Sequence, residues 1–112
     1  MKNNTKLSIN LNAVALLRNR RNLPWPDIIE IARYALRAGA HGITIHPRPD
    51  ERHIKFKDIK IISDFLRDEF KDVSFNIEGY PSDKFLDLAI PYATQITLVP
   101  DTPEQTTSDH GW

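Results

Sequence analysis

The chain contains no cysteine, which excludes disulfides, thiolate metal sites and cysteine nucleophiles but says little about compartment. It carries no net charge, because 15 Lys and Arg balance 15 Asp and Glu. No global field therefore favours nucleic acid or an anionic membrane, and any anion binding must be local. Long apolar runs are missing as well. The N-terminal Met1-Lys2-Asn3-Asn4-Thr5-Lys6 lacks the apolar stretch of a signal peptide, and no later segment could span a bilayer as a helix. These absences lead to the expectation of a cytoplasmic protein with no nucleic-acid and no membrane partner. What remains is 112 residues, 40% of them hydrophobic, enough for one small domain with a core of its own.

Periodicity divides the chain into alternating strands and helices. Leu7-Ser8-Ile9-Asn10-Leu11 alternates apolar and polar residues and reads as a strand. Asn12 to Asn22 reads as a short helical turn closing in the basic cluster Arg18-Asn19-Arg20-Arg21. Pro26 suits the first turn of a helix, whose stripe Ile28, Ile31, Ala32, Ala35 and Leu36 is stopped by Gly39. Gly42 to His46 is a second strand, ended by Pro47-Arg48-Pro49. A helix then runs from about Phe56 to Phe70, with Ile59, Ile62, Leu66 and Phe70 on one stripe. Val73 to Glu78 is a third strand, Ser82 caps a helix with Phe85, Leu86 and Ala89 inward, and Gln95 to Val99 is a fourth strand. After Pro100 the chain is polar and turn-rich. Strands alternating with helices imply a parallel α/β sheet with right-handed crossovers. Four such units are half of an eight-unit (β/α)8 TIM barrel. Residues 1–112 are accordingly expected to be a single incomplete domain, the N-terminal half of that barrel.

The alternation also assigns the faces. Parallel strands covered on both sides usually read as continuous apolar runs. These strands put Ile9, Ile43, Ile45, Phe75, Ile77 and Ile96 on one face, with Ser8, Asn10, Thr44, His46, Asn76, Glu78 and Thr97 on the other. Helices pack on the apolar face, so the polar face points into the barrel. Buried without partners, each polar group would cost on the order of 1–3 kcal/mol; they must bond to each other, to water or to a ligand. Asn10, His46 and Glu78 fall at the carboxyl ends of their strands, where barrels place their sites. His46 and Glu78, on adjacent strands, are an imidazole and a carboxyl suited to acid–base work. Arg21, Arg48 and His53 are expected on the same rim, where guanidinium forks match phosphate or carboxylate oxygens. His41 lies at the opposite end and receives no role, and His110 has no place by pattern. Two readings stay open beside acid–base catalysis. His46, His53 and Glu78 could ligate a metal, although their spacing is not helical. A half barrel with two open sheet edges could also be a non-catalytic, self-associating phosphate-binding module.

Several blocks resemble pyridoxine 5′-phosphate synthase, the ring-closing enzyme of the deoxyxylulose-dependent vitamin B6 pathway. They are Ser8-Ile9-Asn10-Leu11-Asn12, Leu17-Arg18-Asn19, Gly42 to Ile54, Asn76-Ile77-Glu78-Gly79-Tyr80-Pro81 and Leu98-Val99-Pro100. The resemblance implies a (β/α)8 barrel in a homo-oligomer, with members about twice this length. It implies condensation of 3-amino-2-oxopropyl phosphate with 1-deoxy-D-xylulose 5-phosphate to pyridoxine 5′-phosphate, phosphate and water, without metal or cofactor. His46 and Glu78 match the family's acid–base positions. Arg21, Arg48 and His53, with Asn10, Asn12 and Thr107, match positions that contact substrate. The chain departs from the family in Asn12-Ala13, where many members carry Asp-His, and in Asn22, where a glycine is common. The second half, with a further catalytic histidine and glycine-rich phosphate loops, is absent, so this chain alone is expected to be inactive.

Overall fold

The computed structural model describes residues 4–112; the first three residues of the polar N-terminal run lie outside that range. Its elements in chain order are β1 (Ser8–Asn10), α1 (Asn12–Arg21), α2 (Ile28–Arg37), β2 (Gly42–Ile45), α3 (Phe56–Glu69), β3 (Ser74–Gly79), α4 (Asp83–Ala89) and β4 (Gln95–Leu98). The strands form one sheet in the order β1-β2-β3-β4, and every pair is parallel. This is a partial, barrel-like α/β fold.

The apolar and polar faces separate as the alternation requires. Ile43, Ile45, Phe75 and Ile77 are at most 2% exposed and form the floor of the core. On them pack Ile28, Ala32 and Leu36 of α2, Ile59, Ile62, Phe65 and Leu66 of α3, and Phe85 and Ala89 of α4. On the other face a ladder of side chains crosses all four strands. Ser8 Oγ and Thr44 Oγ1 are 2.7 Å apart, Asn76 Nδ2 donates to Thr44 Oγ1 at 3.3 Å, and Thr97 Oγ1 donates to Asn76 Oδ1 at 2.9 Å. Gly42 lies in this row because a side chain would not fit: a Cβ there would stand 2.9 Å from the Ser74 carbonyl oxygen.

Local signals explain the helix ends, with three differences from the sequence reading. The segment after β1 is a full ten-residue helix, not a turn. It ends at Asn22 in the left-handed region, φ 53°, a conformation asparagine tolerates far better than most residues. That accounts for an asparagine where the resemblance leads one to expect glycine. Pro26 does not start α2. It precedes the cap, after a cis Trp25–Pro26 peptide, and Asp27 caps the helix by accepting from the Ile29 amide at 2.9 Å. Finally, β2 stops at Ile45, so His46 stands one residue beyond the ladder. Ser82 caps α4 as expected, accepting from the Phe85 amide at 3.2 Å. Gly39, at φ 112°, turns the chain out of α2.

Candidate active site

The site is built where the strands end. Ile45 pairs with Ile77 across β2 and β3, so the next residues, His46 and Glu78, are neighbours on the polar side. Both line a pocket of about 360 Å3, together with Asn10, Asn12, Arg48, His53 and Thr107. The pocket draws on the ends of β1, β2 and β3 and on the segment after β4, which folds back over them.

Several of these residues are held by bonds that the chain order does not reveal. Asn12 opens α1, its amide donating to Asn10 Oδ1 at 2.8 Å, while its own Oδ1 accepts from the His46 backbone N–H at 2.9 Å. Asn12 thus fixes the backbone of the imidazole. The bond needs only an acceptor oxygen, which asparagine supplies as well as aspartate. His53 sits on the loop before α3, its ring centroid 6.2 Å from that of His46. Its Nδ1 accepts from the Ile54 amide at 3.1 Å, which leaves Nε2 as the free edge. The loop itself is clamped by α1: Asn19 Nδ2 donates to the His53 carbonyl at 2.7 Å, and Arg18 reaches the same oxygen at 3.4 Å. Arg18 also grips Asp58 of α3 with both terminal nitrogens, at 3.0 and 2.8 Å.

Arg48 is buried, 4% exposed. One terminal nitrogen donates to the Gln105 carbonyl, the other lies 4.0 Å from the Asp101 carboxylate, and its Nε has no hydrogen-bond partner among the described residues. Arg52 ties the same segment, donating to the carbonyls of Thr106 and, at 3.4 Å, Gln105 while holding Asp50 at 2.8 Å. Thr107 is brought to the pocket by these bonds. Arg21 is not. The ten-residue length of α1 carries it to the far end of that helix, where its guanidinium lies 4.5 Å from the centre of the Trp25 ring. It is outside the pocket wall.

The environment sets the protonation of the central pair. Burial pushes the His46 imidazole down to about 4, helped by the positive charge of Arg48 and by His53. Burial likewise lowers His53, with Arg48 and Arg52 adding to it. Glu78 moves the other way, raised by burial and then by the negative charge of Asp101. Among the described residues no hydrogen bond joins His46 to Glu78. The pocket therefore presents a neutral imidazole and a carboxyl that holds its proton more firmly than usual, with guanidinium groups above them. No group of three or more His, Cys, Asp or Glu is placed to hold a metal ion among the described residues. His46, His53 and Glu78 accordingly do not form the metal cluster that their residue types allow.

Asp101, Ser108, Arg18 and Asp58 have no counterpart among the candidates read from the sequence. Asp101 is 5% exposed, inside a segment whose composition reads as solvated loop. Only the strand-end position, three residues beyond β4, points to it.

The family model for pyridoxal phosphate biosynthesis protein PdxJ matches residues 7–112. The chain belongs to that family. Curated relatives named pyridoxine 5′-phosphate synthase agree over 108 residues, 96% of this chain. Those of Chelativorans sp. (strain BNC1), Brucella anthropi and Rhizobium meliloti are 62%, 60% and 57% identical. The chain covers 44%, 44% and 43% of their respective lengths. It spans less than half of the PdxJ-family relatives it matches, and the enzymatic assignment belongs to that family.

Proposed function

We propose that this chain supplies one wall of a pyridoxine 5′-phosphate synthase active site. The reaction condenses 3-amino-2-oxopropyl phosphate with 1-deoxy-D-xylulose 5-phosphate, giving pyridoxine 5′-phosphate, inorganic phosphate and water. The observation that carries this reading is the pairing of a buried imidazole, lowered by its surroundings, with a carboxyl raised by its own, in the wall of one pocket. An amine attacks a ketone, water and phosphate leave, and an aldol-type closure forms the ring; each step needs a proton moved. Neutral His46 is suited to accept protons and Glu78 to donate them. Each substrate phosphate carries roughly −1.5 to −2 charge at neutral pH. The buried Arg48 and the free edge of His53 meet such a group, with Asn10, Asn12 and Thr107 as polar contacts. Arg21 joins them by leaving the Trp25 ring.

No described helix is long and apolar enough to cross a membrane, and we read the protein as cytoplasmic. Among the described residues no further strand pairs with the outer edges of β1 and β4, and Leu7 and Leu98 are 57% and 45% exposed. Completion of a (β/α)8 barrel and homo-oligomerisation would both cover such surface. Those same edges favour the second reading, a self-associating phosphate-binding module without catalysis.

Mixing the chain with the remaining portion of the Chelativorans relative and both substrates separates the two. Formation of pyridoxine 5′-phosphate with matching phosphate release, lost in His46→Ala and Glu78→Gln, is the expected result. The 112-residue chain alone should be inactive. Robust turnover by it would overturn the need for a second half, and a stable reconstituted complex without turnover would favour the module.

A further inference from the structure

Among the groups around the pocket, Asp101 is a buried carboxylate that the acid–base scheme does not use. Its Oδ2 accepts from the Ser108 hydroxyl and lies 4.0 Å from an Arg48 terminal nitrogen. Both Asp101 and Arg48 are at most 5% exposed. Between Asp101 and Ser108 the chain closes on itself, Thr102 N–H donating to Gln105 Oε1 at 2.9 Å and Gln105 N–H to the Thr102 carbonyl at 3.1 Å. The same short segment presents the Gln105 and Thr106 carbonyls to Arg48 and Arg52 and carries Thr107 into the pocket wall. Asp101 is therefore the fixed point between the loop after β2 and the segment after β4.

We infer that Asp101 is a positioning residue for this site, holding Arg48 and the Thr107 segment in place and acting on His46 and Glu78 through its charge. The inference deepens the acid–base reading above and rests on it for the catalytic consequence only. Asp101 favours the protonated form of both groups, raising Glu78 and opposing the fall of His46. The other charges around the pair are Arg48 and Arg52 with His53, all of which lower His46. Removing the Asp101 charge leaves the cations unopposed. A residue that merely fastens a loop would change stability or the affinity for substrate, but would not move two titrations in one direction.

The test reads His46 and Glu78 by 13C-detected NMR in the 112-residue chain, as wild type, Asp101→Asn and Asp101→Glu. In Asp101→Asn both midpoints are expected to fall, because the negative charge that favours the protonated form of each is gone. Asp101→Glu should restore them. Should Asp101→Asn fail to fold, Ser108→Ala keeps the charge and removes its tether. It is expected to shift the Thr107 amide resonance and weaken binding of inorganic phosphate while Glu78 still titrates high. A folded Asp101→Asn whose Glu78 midpoint does not move would overturn the inference, as would a Ser108→Ala chain with unchanged Thr107 and phosphate binding. The reconstituted enzyme adds an independent arm. There the pH–rate limbs should both move to lower pH in Asp101→Asn. If the wild-type reconstitution makes no product, the catalytic reading fails while the NMR result still judges Asp101.

Discussion

Acid should unfold this protein partly through one imidazole. His46 is 6% exposed, and burial with the Arg48 charge holds it at about 4, whereas in the unfolded chain it titrates near 6.5. Above pH 6.5 the imidazole is neutral in both states and costs nothing. As pH falls below that value the unfolded chain takes up a proton that the folded chain refuses, and stability drops until the folded imidazole itself titrates. At about 1.4 kcal/mol per pH unit, the full depression is worth roughly 3 kcal/mol, of which about 2–3 is lost between pH 7 and 4.5. With an m of about 1–1.5 kcal/mol/M for a domain of this size, the urea midpoint should fall by about 2 M from this group. Other groups titrate in the same window, so the quantity to measure is a difference. Urea unfolding of wild type and His46→Gln at pH 7 and pH 4.5 isolates it, because the variant has no proton to take up. His46→Gln should lose about 2–3 kcal/mol less than wild type over that interval. Equal losses in the two proteins would show that the imidazole is already charged in the fold, and the neutral-base role would fall with that result.

Three further outcomes follow from particular contacts. Arg18→Met strands Asp58, 2% exposed, without its bidentate partner; thermal unfolding should show a loss of about 3–5 kcal/mol, with part of it recovered by adding Asp58→Asn. Glu78→Gln should raise the urea midpoint at pH 8, because a carboxyl raised by burial and Asp101 gives up stability as pH rises through its folded value. That gain should vanish below the ordinary carboxyl range near 4.3, and a gain that persists there would point to packing instead. Gly79→Ala places a Cβ 2.2 Å from the Phe85 ring, and the overpacking should cost about 1–3 kcal/mol by chemical denaturation, relieved by Phe85→Leu.

Most of the fold was legible because its signals are local. A period-two strand and a 3.6-residue helical stripe declare themselves within a few residues, and Gly39 and Ser82 mark ends through their own torsion or side chain. The helix α1 was underestimated because only Ala15 of its residues is buried, so it shows little of the amphipathic stripe that identifies a helix. At the site, strand-end position together with the family resemblance pointed to residues that the fold brings into one pocket. What could not be read is what depends on distant partners. Arg18 and Asp58 are separated by 40 positions and Arg48 and the Gln105 carbonyl by 57, and neither pairing leaves a trace in local composition. Arg21 shows the converse: the length of α1 places it beside Trp25 and outside the pocket wall in this structure, a distance that residue type and chain order do not give.

The polar inner face poses the same question twice, and the two ends of the strands answer it differently. In the middle of the sheet Ser8, Thr44, Asn76 and Thr97 bond to one another across all four strands. Their polarity is self-satisfied and asks for no ligand. Toward the carboxyl ends that ladder stops. Among the described residues His46 is held by its backbone to Asn12 and not by its ring, Glu78 has no side-chain hydrogen bond, and Arg48 keeps a buried Nε without a partner. A buried donor left unpaired costs on the order of 1–3 kcal/mol, which a fold selected for stability alone would remove by an apolar substitution. One such group beside the pocket, with imidazole and carboxyl protonation shifted in opposite directions, marks where stability has been given up. Strand polarity alone therefore does not locate the site. The break in the hydrogen-bond ladder does, because beyond that point the partners must come from substrate, water or further chain.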